Sequence, residues 1–293
     1  MNRLVRRIAF LAFAVVAPTC AAIAMSFGCA GTTGTRKIAF EAYAQGTESG
    51  RSPFTNERGF EVLLSKATVT FGPVYLNVVS PRQSSSGPDT FFRRLVEGTA
   101  HAAGEDHLGS GRVVGEVLGQ VTFDALSDSR IRFPVPGVVT NENVRTVDLW
   151  FFPASGQDPE TKRVPAALTV EGVARRDGRS IPFRGALVLD DSWLPDAKVG
   201  SREARTLADI RRLRGISASL VPTEGGALEV SLDVRALFRG ADFDALEANP
   251  IDSDGARRLV QGKATGADQV MTNLFQGLKS SSGVWTVRWN ELR

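Results

Sequence analysis

The chain has 293 residues, of which 42% are hydrophobic and 23% are charged. This composition supplies a sizeable hydrophobic core and excludes a protein built from several membrane spans. The formal net charge is +3, but three arginines lie within residues 1–28, which contain no acidic residue. The remaining chain has 32 basic and 32 acidic residues. Because no basic surplus is left to bind a phosphate backbone, we expect no nucleic-acid partner.

Residues 1–28 have the order of a bacterial export signal. Arginines at the start are followed by an almost wholly apolar stretch, residues 8–25, and then by small residues. This is the sequence of n-region, h-region and cleavage region in a signal peptide. A permanent membrane anchor is the alternative, because about 18 apolar residues are enough to span a bilayer. We predict a cleaved signal, because Pro18 interrupts the stretch and glycines follow it.

Two cleavage sites compete at the end of this segment. Residues 22–24 form an A-x-A site, and cleavage after Ala24 would release a secreted protein, whereas residues 26–29 resemble the lipobox of bacterial lipoproteins. The chain has only two cysteines, Cys20 and Cys29, so no disulfide can form beyond residue 29. A single cysteine without a disulfide partner is unusual in an exported protein, and acylation of its thiol best explains it. We therefore predict that Cys29 is lipidated, that residues 29–36 form a flexible tether, and that this anchor holds the protein at a membrane of the cell envelope, in the periplasm or on the outer membrane.

From residue 37 onward the sequence has the pattern of strands, with short alternating or apolar runs separated by Gly, Pro, Asp and Ser. The predicted strands cover residues 38–43, 60–71, 74–79, 112–123, 146–152, 167–175, 180–189, 217–222, 228–234 and 285–289. Helical spacing of apolar residues predicts two short helices, at residues 203–213 and 267–278. We predict one all-β domain over residues 37–293, an antiparallel β-sandwich or a partly open barrel with these helices at its periphery.

Two hairpins are predicted within this domain. The pair Asp177 and Gly178 is typical of a tight turn and joins residues 168–174 to residues 181–187. Residues 222–226, which include two glycines, are predicted to join residues 216–221 to residues 227–234 in the same way.

A polar stretch at residues 80–111 is predicted to be a long loop, and it contains both histidines of the chain. His101 and His107 flank Glu105 and Asp106 there. Imidazole nitrogens and carboxylate oxygens are ligands of copper and zinc, so these four residues are predicted to form a metal or small-ligand site. The alternative is a solvated loop that happens to hold both histidines.

Enzyme motifs are scarce. The chain has no G-x-S-x-G elbow, no P-loop and no dinucleotide fingerprint, so the sequence favours a binding protein over an enzyme. A hydrolase using two carboxylates stays an alternative, because acidic residues from distant positions can meet in a cleft. Aromatic residues at positions 150–152, with Trp285 and Trp289, are predicted first as core and alternatively as a face that binds a sugar or a partner.

Residues 54–64 and 71–76, the turn at Asp177 and Gly178, and the alternating run at residues 230–234 before a helix resemble exported bacterial β-sandwich lipoproteins. More distantly, they resemble the periplasmic copper-binding family associated with methanobactin uptake. The resemblance covers roughly half of the chain and implies a metal-related role in the cell envelope, with no ligand residue carried over.

Two functions are therefore expected. The first is an envelope binding protein with its site in the 80–111 loop, and the second is an assembly lipoprotein that binds another envelope protein through a sheet edge or an aromatic face.

Overall fold

The computed structural model describes residues 36–78, 112–151, 165–194, 206–261 and 269–291. Strands dominate these ranges and helices are few, so the prediction of an all-β fold is confirmed. The strands are β1 (Lys37–Gln45), β2 (Phe54–Thr55), β3 (Glu61–Phe71), β4 (Val74–Asn77), β5 (Val113–Val117), β6 (Val121–Asp124), β7 (Ile131–Arg132), β8 (Gly137–Thr140), β9 (Val144–Trp150), β10 (Leu168–Arg176), β11 (Arg179–Leu187), β12 (Arg212–Leu220), β13 (Gly226–Leu232), β14 (Arg257–Arg258) and β15 (Trp285–Glu291). The α-helices within the same ranges are α1 (Leu207–Arg211) and α2 (Gln269–Leu278), and 3-10 helices cover Glu48–Arg51, Asp191–Trp193, Val234–Phe238 and Phe243–Ala248.

The strands form two sheets. The larger sheet has the order β12-β9-β4-β5-β8-β1-β13-β15, with β7 also paired to β1, and the smaller sheet has the order β14-β11-β10-β3-β2, with β6 also paired to β3. The larger sheet curls until its end strands, β12 and β15, approach each other, which gives a nearly closed barrel. Most neighbouring strands are antiparallel, as predicted, but β1 pairs with β13 and β11 pairs with β14 in parallel.

One continuous apolar core joins the two sheets. The chain passes from β3 in the smaller sheet to β4 in the larger sheet through a corner at Gly72. Gly72 has a φ of 130°, and a Cβ at this position would lie 2.3 Å from the carbonyl oxygen of Gly119. Both observations require glycine at the corner. The side chain of Phe71, directly before the corner, is fully buried and packs between the sheets.

The hairpin predicted at Asp177 and Gly178 is confirmed. β10 and β11 pair along their whole length, from Leu168 opposite Leu187 to Arg176 opposite Arg179. Asp177 has a φ of 52° and Gly178 a φ of 76°. Two successive positive φ angles are typical of the two-residue turns that match the twist of a hairpin, which is why the Asp-Gly pair was informative.

The second predicted hairpin is wrong. β12 pairs with β9, whereas β13 pairs with β1 and β15. The place beside β13 that a hairpin would give to β12 is taken by β15, whose Trp289 and Val287 lie opposite Leu228 and Val230. The turn at residues 221–225 therefore leads from one end strand of the larger sheet to the strand next to its other end.

The helix predicted at residues 203–213 is shorter than expected. Arg212 and Leu213 belong to β12, because they pair with Trp150 and Leu149 of β9. The residues before 206 lie outside the described ranges. By contrast, α2 agrees closely with the prediction for residues 267–278 and buries its apolar face. No helix in the described ranges is long and apolar enough to cross a bilayer.

Candidate functional site

The predicted metal and lipid sites lie outside the described residues. This applies to His101, Glu105, Asp106, His107 and Cys29, and to the whole of the predicted loop and export signal. Within the described ranges, no group of three or more His, Cys, Asp or Glu side chains is placed to hold a metal ion. The copper or zinc site and the acylation of the cysteine therefore stay predictions.

The described residues contain a different candidate, the space between the end strands β12 and β15, which we call the seam. These strands approach so that some of their Cα atoms lie within 8 Å of each other, but no ladder of paired residues joins them in the described ranges. The end strands of a sheet carry backbone N–H and C=O groups that have no neighbouring strand. The seam is thus an interruption in the hydrogen bonding of the barrel wall.

The register of β15 shows which backbone groups face the seam. The N–H of Asp233 donates to the carbonyl of Val284 at 3.0 Å, so this pair is a hydrogen-bonded pair of the β13–β15 ladder. In antiparallel ladders, hydrogen-bonded and non-hydrogen-bonded pairs alternate. The even-numbered residues of β15 therefore direct their backbone groups to β13, whereas Val287 and Trp289 direct theirs to the seam.

A groove of about 490 Å³ lies at the seam, which we call the seam groove. Residues 219–221 and Thr223 line one side of it, and residues 287–291 line the other. The volume is within the roughly 300–1,000 Å³ that is usual for ligand pockets. Val221, on its rim, is an exposed apolar residue with 60% of its surface accessible, so the groove combines an apolar rim with unpaired strand backbone.

Trp289 forms a fixed wall of the seam groove. Its indole Nε1 donates to the hydroxyl of Thr223 at 3.2 Å, and its ring packs against Phe40 with a centroid distance of 5.0 Å. A Cβ on Gly226 would lie 2.1 Å from this Nε1, so the glycine leaves the space that the indole occupies. Because these contacts hold the ring in place, the wall is formed before any ligand binds.

Lys279 binds backbone carbonyls at the start of β12. The Lys279 ammonium donates to the carbonyl of Asp209 at 2.6 Å and also to the carbonyl of Arg212. Arg212 is the first residue of β12, so a side chain already satisfies backbone at this end of the seam. The groove is confined to the opposite end, where β12 and β15 finish.

Arg288 adds a positive charge to the seam groove. It is exposed, and within the described residues no carboxylate lies at ion-pair distance from it. Its neighbour across the β13–β15 ladder is Glu229, but the Glu229 carboxylate is bound by Arg130 at 2.8 Å, Asn290 at 3.0 Å and Gln45 at 3.1 Å. The guanidinium of Arg288 therefore stays open to a ligand.

A buried ion pair holds the other wall of the seam. Arg212 of β12 donates through Nη2 to Asp148 of β9 at 2.7 Å, and both side chains are almost fully buried. The second oxygen of Asp148 accepts the backbone N–H of Gly215 at 2.9 Å. The Arg212 guanidinium also lies over the ring of Trp150, 5.3 Å from its centroid. These contacts fix the end strand β12 to its neighbour β9.

No family model, curated protein or solved structure matches this chain. The resemblance to exported lipoproteins therefore stays a prediction.

The sequence anticipated part of this site. Trp150, Phe151 and Trp285 are buried, as first expected. Trp289 is only partly buried, packs against the core and lines the groove, and the alternative of a binding face stays a prediction. Arg288 is not among the site residues predicted from the sequence. Its position between Val287 and Trp289 could have indicated it, because strand alternation puts the charged side chain there on the outer face.

Tyr75, which lies beside Asp148 on the neighbouring strand β4, allows a test of the packing on this side of the sheet. Burial raises its pKa to about 12, and the charge of Glu116 acts in the same direction. This value exceeds the ordinary pKa of 10.0 of an unfolded tyrosine. The contribution of the neutral Tyr75 hydroxyl to the free energy of unfolding is therefore fully present below about pH 10 and is lost as the pH rises to about 12. We expect a loss of up to about 3 kcal/mol in the free energy of unfolding.

The measurement is the urea midpoint of wild type and Tyr75→Phe between pH 9 and about 12. The variant lacks the titrating hydroxyl and should lose less stability over this interval. An equal decline in both proteins would contradict the assignment to Tyr75.

Proposed function

We propose that this chain is a non-enzymatic binding protein that takes up a short extended segment of another protein in the seam groove. The observation that carries the proposal is the unpaired edge of β15, where the backbone groups of Val287 and Trp289 face the groove. Exposed strand edges bind extended peptides by strand addition, in which main-chain hydrogen bonds supply affinity and side-chain pockets supply specificity.

The chemistry of the groove supports a peptide as the ligand. Along a strand, residues that face the same side repeat about every 6.8 Å, and an extended peptide presents its own N–H and C=O groups with the same repeat. The apolar surface of Val221 and Trp289 suits the side chains that such a peptide directs inward. Among the described residues that line the groove, Glu291 is the single carboxylate, whereas glycoside hydrolysis uses two.

The bound segment must be short. Paired strands lie about 4.8 Å apart, so a strand inserted between two others needs about 9.6 Å between its neighbours. Some Cα atoms of β12 and β15 are closer than this, within 8 Å of each other, so the segment does not run along the whole seam. The proposed position is the groove, which residues from the ends of both strands line.

The predicted export signal and the predicted lipid on Cys29 support a role in the cell envelope. There the protein would act on another envelope protein, which is the second of the two functions expected from the sequence.

The test uses the full-length chain and a capped hexapeptide of alternating Thr and Val. The matched control is the same peptide N-methylated at its two central residues, which blocks hydrogen bonding on both edges without removing any side chain. We expect the unmodified peptide to shift the NMR amide signals of Val287 and Trp289 and the indole signal of Trp289, and the methylated peptide to leave them unchanged.

A second comparison uses Val221→Ser, which removes an exposed apolar side chain and should leave the fold intact. This variant should bind the unmodified peptide more weakly. Equal affinity for the unmodified and the N-methylated peptide, or signal shifts confined to residues away from the groove, would contradict the proposal.

A further inference from the structure

We infer that the segment bound in the seam groove carries an acidic side chain that pairs with Arg288, an inference that rests on the proposed function. Arg288 lies on the outer face of β15, and its side chain contributes to the groove. On the β13 side, its cross-strand neighbour Glu229 is already bound by Arg130, Asn290 and Gln45. On the seam side of β15, the position opposite Arg288 would be occupied by a residue of the bound segment.

The geometry of strand addition places one residue of the segment directly opposite Arg288. When the segment pairs with β15 in antiparallel orientation, side chains directly opposite each other have Cβ atoms about 4.5–5.5 Å apart, close enough for a carboxylate and a guanidinium to meet. Opposite charges in this arrangement are favourable and like charges are unfavourable. Arginine also offers a planar fork of donors that a carboxylate can bind through both oxygens.

Glu291 restricts where the acidic residue can lie. It is exposed at the end of β15, and no basic side chain is at ion-pair distance from it within the described part of the chain. It lies three residues beyond Arg288, about 10 Å along the strand, and on the opposite face. An acidic residue opposite Glu291 would be repelled. The two charges together favour a segment with its acidic residue on the outer face at Arg288, and with apolar residues directed into the groove.

The experiment compares three capped hexapeptides that differ only at the central Thr, which is kept as Thr or replaced by Glu or Lys. We expect the Glu peptide to bind the full-length chain about two- to fivefold more tightly than the Thr peptide, the range of an exposed ion pair, and the Lys peptide to bind more weakly. In Arg288→Gln this preference should disappear, and in Arg288→Glu it should reverse. Arg288 is exposed, so Arg288→Gln should not disturb the fold. Arg288→Glu lies opposite Glu229, so circular dichroism and urea unfolding check that this variant is folded before it is used.

Arg175→Gln is the matched control, because it removes an exposed arginine from β10 of the smaller sheet. It should keep the preference for the Glu peptide. If the Thr and Glu peptides bind equally and both shift the signals of Val287 and Trp289, the role of Arg288 is overturned while strand addition stands. If none of the three peptides shifts those signals, both proposals are overturned.

Discussion

Replacing Asp148 by alanine is expected to lower the free energy of unfolding by about 3–5 kcal/mol. The change leaves the Arg212 guanidinium buried without its carboxylate partner, since both side chains are at most 3% exposed. It also removes the acceptor of the Gly215 backbone N–H. Uncompensated buried charge is among the most destabilising changes that a single substitution produces. Urea unfolding of wild type and variant, followed by circular dichroism, measures the loss.

The double variant Asp148→Leu/Arg212→Met is the control for this prediction. It replaces both charges by apolar groups of similar size, and such replacements are often neutral or stabilising, so much of the lost stability should return. If the double variant is as unstable as Asp148→Ala, the unpaired charge is not the cause of the loss.

Replacing Phe71 by alanine is expected to cost about 3–5 kcal/mol, because it opens a cavity where the two sheets meet. Phe71 is fully buried, and its ring contacts those of Phe123, Phe133 and Trp285 at centroid distances of 5.9, 5.5 and 5.3 Å. All three contacts are edge-to-face, a favourable arrangement of aromatic rings. Denaturant unfolding of the variant tests the prediction.

Phe275→Ala is the matched control for Phe71→Ala. Phe275 is only partly buried on α2, where its ring stacks on Trp193 at 4.2 Å. The same change of side chain should therefore cost clearly less at this position. Equal losses in the two variants would contradict the view that the contact between the sheets dominates the stability of the fold.

Local patterns in the sequence predicted most of the longer strands, and they failed where distant residues decide the pairing. Residues 112–123, predicted as one strand, form β5 of the larger sheet and β6 of the smaller sheet, and β8 was not predicted. Asp177 and Gly178 specify their own turn through their backbone preferences, so the β10–β11 hairpin could be read directly. The turn at residues 222–226 looks similar, but which strand lies beside β13 depends on β15, which comes much later in the chain. Arg212 and Leu213 fit a helix by local spacing, and pairing with β9 makes them strand residues.

The candidate site could be predicted only in part for the same reason. Alternation indicated that Trp285 and Trp289 share a face, but the position of that face relative to the end of β12 is a property of the closed sheet. Likewise, Arg288 is available to bind a ligand because the Glu229 carboxylate is bound by other residues, including Arg130 from outside the two strands. No local pattern contains that information.

The arrangement of β13 between β1 and β15 also has a consequence for how the chain folds. β1 and β13 pair in parallel although they lie far apart in the sequence. Closing such long loops costs entropy before the contacts repay it, and folds dominated by distant pairs form slowly. Until β13 has paired, β1 and β15 have no strand between them, and their apolar inner faces stay exposed. For a chain with a predicted export signal, this delay is useful, because a polypeptide that has not yet folded can still be threaded through a narrow translocation channel.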